Sequence, residues 1–170
     1  MACVVAEEGR WHRITREGIC EFLETVGLRY LHDHGETGAP LSLFVDQAGR
    51  KAHLSDADVL VLDESARVTH IIEIQDGGLS PKTVLGIAGA TALCNTFVDV
   101  EGKNHEFRRP TLWIVLNSKR LEVEGSRKKD QMATIQTELA DGRKPLVRLG
   151  TLGSIRLSSD TTFETDFLRR

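Results

Sequence analysis

The feature that most constrains this chain is a carboxylate set inside an apolar run, Glu73 within Ile71-Ile72-Glu73-Ile74. Burying a charge costs on the order of several kcal/mol unless it is paired, protonated or bound to a metal. Packing alone gives no reason to put one there. A second apolar run, Val59-Leu60-Val61-Leu62, precedes it, and polar Glu64-Ser65-Ala66-Arg67 separates the two. The pattern reads as a hairpin. A four-residue turn closed by Asp63 and Val68 sets Leu62 opposite Thr69, Leu60 opposite Ile71, Asp58 opposite Glu73 and Asp56 opposite Gln75. Opposed residues share a face with Cβ atoms about 4.5–5.5 Å apart. Gln75, two residues beyond Glu73, lies on that face as well. Asp58, Glu73 and Gln75 are therefore expected together. Two bare carboxylates about 5 Å apart repel by roughly 3 kcal/mol at an effective dielectric near 20. A divalent cation removes that penalty, and an all-oxygen donor set with room for water suits Mg²⁺ or Mn²⁺. Taken singly, each acid has a plainer explanation as a solvated edge residue or an arginine partner. The register makes the pair more specific than either member.

Ala57-Asp58, an apolar strand, a turn and then Glu73-Ile74-Gln75 resemble the PD-(D/E)xK nuclease superfamily, whose signature is an Asp heading one strand and Glu/Asp-x-Lys on the next. The resemblance spans roughly residues 15–120 and is specific over 56–75. Ala57 stands where the motif has proline, and Gln75 where it has lysine. The second departure removes the cation expected beside the attacking water. Lys82, seven residues on, is a candidate substitute, with an exposed lysine at a helix start as its plainer reading. The resemblance implies a restriction-endonuclease-like α/β fold, in which an antiparallel meander plus a parallel strand form a mixed central sheet flanked by helices. It also implies Mg²⁺ or Mn²⁺ held by Asp58, Glu73 and the Ile74 carbonyl, and an acid from the first helix. Glu21 fits that role best by position, with Glu17 and Glu24 as rivals and a solvated helical face as the alternative for all three.

The remaining chain fits that organisation. Residues 11–31 read as an amphipathic helix through Ile14, Ile19, Phe22, Leu23, Val26 and Tyr30, with Gly18 weakening it by up to ~1 kcal/mol. Residues 31–40, including His32-Asp33-His34, read as a polar loop without zinc-like spacing. Leu41-Ser42-Leu43-Phe44-Val45 reads as a strand that turns at Gln47-Ala48-Gly49 and completes a meander with the hairpin. Ser80 and Pro81 mark the start of a helix over 81–96, dense in small residues. Gly86 and Gly89 there do not make a phosphate-binding motif. Thr111–Leu116 reads as a buried strand, in parallel pairing after the crossover. A basic-ended helix is expected over 127–140. Weaker strands are expected at 146–149 and 154–157, then a polar tail over 158–170 that frays.

The 170 residues, 40% hydrophobic and 28% charged, suit one domain with its core at about 11–157. No run of about 20 apolar residues suggests a membrane span, and no signal peptide is expected from the pattern. Cys3, Cys20 and Cys94 lack metal or redox spacing and suit a cytoplasmic protein with reduced thiols. Net charge is −3, but residues 1–100 carry 8 Lys/Arg against 15 Asp/Glu and residues 101–170 carry 14 against 10. Arg108, Arg109, Lys119, Arg120, Arg127, Lys128 and Lys129 lie in the basic half and are the candidate phosphate contacts; a solvated surface with scattered ion pairs is the alternative.

The expectation is a metal-dependent endonuclease acting on DNA, with RNA not excluded. Asp58, Glu73, Gln75, Lys82 and Glu21 are its candidate catalytic residues, and a homodimer would cut both strands. Two alternatives stand beside it. One is a nuclease-fold domain that binds nucleic acid or a protein without cutting. The other is an α/β protein for a small molecule or protein partner, whose acids serve a salt-bridge network.

Overall fold

A computed structural model describes residues 2–33, 41–46, 53–77, 79–99, 103–123, 125–140 and 150–169. The elements run α1 (Ala2–Thr25), β1 (Arg29–His32), β2 (Leu41–Phe44), β3 (His53–Ala57), β4 (Val59–Leu62), β5 (Val68–Gln75), α2 (Pro81–Leu93), β6 (Thr96–Val98), β7 (Asn104–Glu106), β8 (Thr111–Leu116), α3 (Ser118–Val123), α4 (Ser126–Ala140), β9 (Ser154–Ser159) and α5 (Phe163–Leu168). One sheet has five strands in the order β1-β4-β5-β8-β9, and a second has four in the order β3-β2-β6-β7. In the larger sheet β1, β4 and β5 are antiparallel, while β5, β8 and β9 are parallel. The chain is thus α/β, with a mixed sheet flanked by helices. The expected 146–149 strand and the 47–49 turn lie outside the described residues.

Side-chain alternation divides the core in two. Leu60, Leu62, Ile71, Leu112, Ile114, Leu116, Ile155 and Leu157 face α2, α4 and the smaller sheet. Val59, Val61, Ile72, Ile74, Trp113 and Val115 face α1 and α5, where they meet Ile19, Phe22, Leu23, Phe163 and Phe167. Strands buried on both faces read as continuous apolar runs, which is why β4 and β8 stand out in the sequence.

Several boundaries differ from expectation for local reasons. α1 stops at Thr25 because Gly27 adopts a left-handed φ of 72°. Leu28 N–H then bonds Leu23 O at 2.9 Å and Gly27 N–H bonds Glu24 O at 3.0 Å, a Schellman cap that tucks Leu28 against the core. Tyr30 consequently sits in β1, and Ile14 and Val26 are exposed rather than core-facing. The segment read as a loop from residue 31 begins instead as the end of a strand. α2 ends at Leu93, three residues early, because the chain turns out through Cys94 into β6. Its start is as expected: the Ser80 side chain accepts from Thr83 N–H at 3.1 Å and Pro81 opens the helix.

The hairpin is closed by three residues rather than four. Asp63 N–H bonds Arg67 O, Asp63 Oδ1 accepts from the Ser65 and Arg67 amides, and Ala66 takes a left-handed φ of 59°. Leu62 therefore opposes Val68, not Thr69. A bulge between Val61 and Leu62 absorbs the missing residue, so Leu60 still opposes Ile71 as the longer turn required. The expected meander is also rearranged. The strand 53–62 breaks at Asp58: β4 pairs with β1 and β5, while β3 turns away to pair with β2 in the smaller sheet. Asp56 consequently faces Ser42 and not Gln75.

The polar tail is partly core. Phe163 and Phe167 are each 1% exposed, so the packed body extends through α5. No helix among the described residues is long and apolar enough to cross a membrane.

Candidate metal centre

Asp58 occupies the break between the two sheets. Its N–H bonds Ile72 O at 3.0 Å, keeping it next to β5, but its carbonyl accepts from Asp33 N–H at 2.9 Å. The side chain takes over the contact to β5 that the backbone has left: Ile74 N–H donates to Asp58 Oδ2 at 2.5 Å. The other oxygen, Oδ1, lies 3.0 Å from His12 Nε2 on α1. One helical turn along, Arg16 Nη1 meets Asp33 Oδ1 at 2.6 Å, with both side chains nearly buried. His12, Arg16, Ile19 and Leu23 share one face of α1 at helical spacing. The first helix therefore brings a histidine and an arginine to this corner.

Glu73 projects on the same side of β5 as Ile71, beneath α2. Among the described residues its one hydrogen bond is long, from Ser55 Oγ at 3.4 Å, and Ser55 in turn lies 3.2 Å from Thr91 Oγ1 of α2. Burial raises the Glu73 carboxyl well above the ordinary value of 4.5, and the charges of Asp58 and Asp56 push it the same way against the Ser55 hydrogen bond. The His12 imidazole is raised above 6.5 by its hydrogen bond to Asp58, which outweighs its burial.

The backbone adds a third oxygen. Gln75 O accepts from Asn117 N–H at 3.3 Å, so the Gln75 peptide groups face β8. Successive strand residues turn their peptide groups to opposite sides. The Ile74 carbonyl therefore faces the β4 side, as its N–H does on meeting Asp58. Two carboxylates and a carbonyl match a hard divalent cation in donor chemistry. Glu73, with no cationic partner among the described residues, is the group such an ion would relieve. No cluster of three His, Cys, Asp or Glu side chains suited to a metal occurs among the described residues, so the carbonyl and water would have to complete the shell.

The other candidates are placed differently. Glu21 is exposed, on the α1 face opposite His12 and Arg16. Glu24 bonds Tyr30 Oη at 2.6 Å and Glu17 pairs with Arg13 at 3.9 Å, so neither rival replaces it. Lys82 is exposed on α2, on the side away from Thr91 and nine residues from it, about 13 Å of helix rise. It has no bond to either acid. The Gln75 side chain donates to the Gly77 carbonyl. The basic residues do not form one patch. Arg108 and Arg109 are exposed before β8, where Arg108 lies 3.6 Å from Glu106. Lys119 and Arg120 follow β8, with Arg120 Nε 3.7 Å from Asp76 Oδ1. β8 itself separates the two pairs by about 16 Å. Arg127, Lys128 and Lys129 open α4, where Arg127 borders a groove with Pro81 and Ile135.

Sequence reasoning missed His12, Arg16, Asp33, Ser55 and Thr91. The His12-x-x-x-Arg16 spacing on the same stripe as Ile19 and Leu23 was the available signal. Asp33 was hidden within an apparent loop. No family model, curated protein or solved structure matches this chain.

Proposed function

We propose that this chain is a metal-dependent endonuclease that hydrolyses DNA phosphodiesters, with Mg²⁺ or Mn²⁺ held by Asp58, Glu73 and the Ile74 carbonyl. The observation that carries the reading is the strand break at Asp58. It sets one carboxylate on the backbone of Glu73-Ile74-Gln75 while Glu73 itself stays uncompensated. When bound, the ion supplies acidification of a water and neutralisation of charge on the phosphate. The protein's own part is orientation. Ile74 N–H fixes Asp58, Ser55 steadies Glu73, and Arg16 with Asp33 anchors the corner to α1. Gln75 can align a water through its carboxamide but cannot serve as a cation or base at neutral pH. Lys119, Arg120 and the basic start of α4 are the phosphate contacts of this proposal. A homodimer would cut both strands, and the reduced cysteines suit the cytoplasm.

The test is incubation of plasmid, single-stranded DNA and RNA with the protein in Mg²⁺, Mn²⁺ or EDTA. Metal-dependent cleavage of DNA is expected, and Glu73→Ala should lower it at least ~100-fold while circular dichroism stays unchanged. Cleavage of RNA alone would transfer the reading to a ribonuclease. An alanine variant cutting at the parent rate would remove Glu73 from the mechanism.

A second reading is a nuclease-fold domain that binds nucleic acid or a protein without cutting. It is favoured by Gln75 at the motif lysine position and by the two hydrogen bonds already on Asp58. Nucleic-acid binding that survives EDTA, with no cleavage in any metal, would select it.

A further inference from the structure

We propose that His12 is a positioning residue of the metal centre: by donating from Nε2 to Asp58 Oδ1 it holds that carboxylate in the orientation that receives the ion. This rests on the metal-dependent reading of the same site. Asp58 needs such support because it sits where β4 leaves the ladder. Its carbonyl is spent on Asp33, and its Oδ2 on Ile74 N–H. Among the described residues it is His12, at 3.0 Å, that holds Oδ1. A carboxylate is acceptor-only, so the donor in this contact is His12 Nε2. Each carboxylate oxygen carries two lone pairs, so Oδ1 can accept from His12 and still face a metal. The imidazole is itself fixed. Four residues on, Arg16 clamps Asp33, whose amide holds the Asp58 carbonyl, so α1 grips side chain and backbone of the same strand break. His12 is 29% exposed, so its replacement does not open the core.

Hydrogen-bonded partners of metal ligands typically govern affinity by about 10–100-fold. The experiment is a MnCl₂ titration of the full chain, followed by calorimetry and by electron paramagnetic resonance of free Mn²⁺. It compares the parent, His12→Leu, His12→Gln and Glu73→Ala. Leucine and glutamine both suit a helix, and only glutamine keeps a donor. Far-UV circular dichroism without metal checks that each is folded, and His12→Ala replaces the leucine variant should that one unfold. The expected result is about 10–100-fold weaker Mn²⁺ binding in His12→Leu, with most of the loss recovered in His12→Gln. Parent-like affinity in His12→Leu, or equal losses in both variants, overturns the positioning role and leaves the metal reading standing. A parent that binds no Mn²⁺, or a Glu73→Ala variant that binds as well as the parent, removes the metal reading and this inference with it.

Discussion

Ile72 and Ile74 project from one side of β5, and Ile71, Glu73 and Gln75 from the other. On the first side most neighbours are apolar, with the His70 ring 4.9 Å from Phe167 and the Arg156 guanidinium 5.7 Å over Trp113. Phe22 meets the rings of Phe163 and Phe167 edge-on at 6.2 and 5.8 Å, and Trp113 lies 5.5 Å from Phe163. Ring geometry accounts for the packing of that side, although Trp113 Nε1 is buried there without a hydrogen-bond partner among the described residues. The second side begins with Ile71 in the core and continues into a carboxylate with one long hydrogen bond and three acids, Asp33, Asp56 and Asp58, whose charges reach it. The same strand thus packs against rings on one face and carries a weakly compensated carboxylate on the other. Local conflict of this kind is what function asks of a fold.

The sharpest way to break that contrast is to show that the aromatic side is not the stabilising one. Phe167→Ala should cost about 3–5 kcal/mol in urea melts, since a fully buried ring leaves a cavity. A loss under 1 kcal/mol would mean that α5 is dispensable. Arg16→Ala should follow, at about 3 kcal/mol, because it strands the Asp33 carboxylate in a nearly buried setting. Its double-mutant cycle with Asp33→Ala should recover most of that loss. If the double mutant is no better than Arg16→Ala, the pair is not the anchor of the corner.

The two sides also differ in how far they could be read from residues alone. The apolar runs of β4, β5 and β8 and the Ser80-Pro81 helix start are each dictated by local chemistry, and all were legible. So was the register that sets Leu60 opposite Ile71. It survived an incorrect turn only because the bulge at Val61–Leu62 offsets a turn one residue shorter. The break at Asp58 was not legible. The run from His53 to Leu62 reads as one strand, and its division depends on β2 and β6 offering a second sheet. Asp33 was lost for the same reason, since only the tertiary fold shows that Arg16 covers it. Phe163 and Phe167 were overlooked in a segment whose polar average hid two core side chains at helical spacing. The Gly27 cap was available in the sequence and would have ended α1 correctly.

Glu73 itself supplies the smallest and most discriminating effect. Its carboxyl is raised in the folded chain, so the native state binds the proton more tightly than the unfolded state does. Below the ordinary value of 4.5 both states are protonated and the group costs nothing. As the pH climbs above that value the unfolded chain ionises first, and the native state loses stability until its own carboxyl has titrated. Glu73→Gln keeps the shape and removes the charge. Its benefit should therefore be absent at pH 4 and reach about 1–3 kcal/mol at pH 8, raising Tm by roughly 2–4 °C per kcal/mol. Adding MgCl₂ at pH 8 should raise the Tm of the parent and leave Glu73→Gln unmoved, because the ion and the amide relieve the same charge. Thermal melts at both pH values, with and without the salt, measure all of this. A glutamine variant less stable than the parent at pH 8 would show that Glu73 is already paid for by the packing around it, and the two sides of β5 would then be alike.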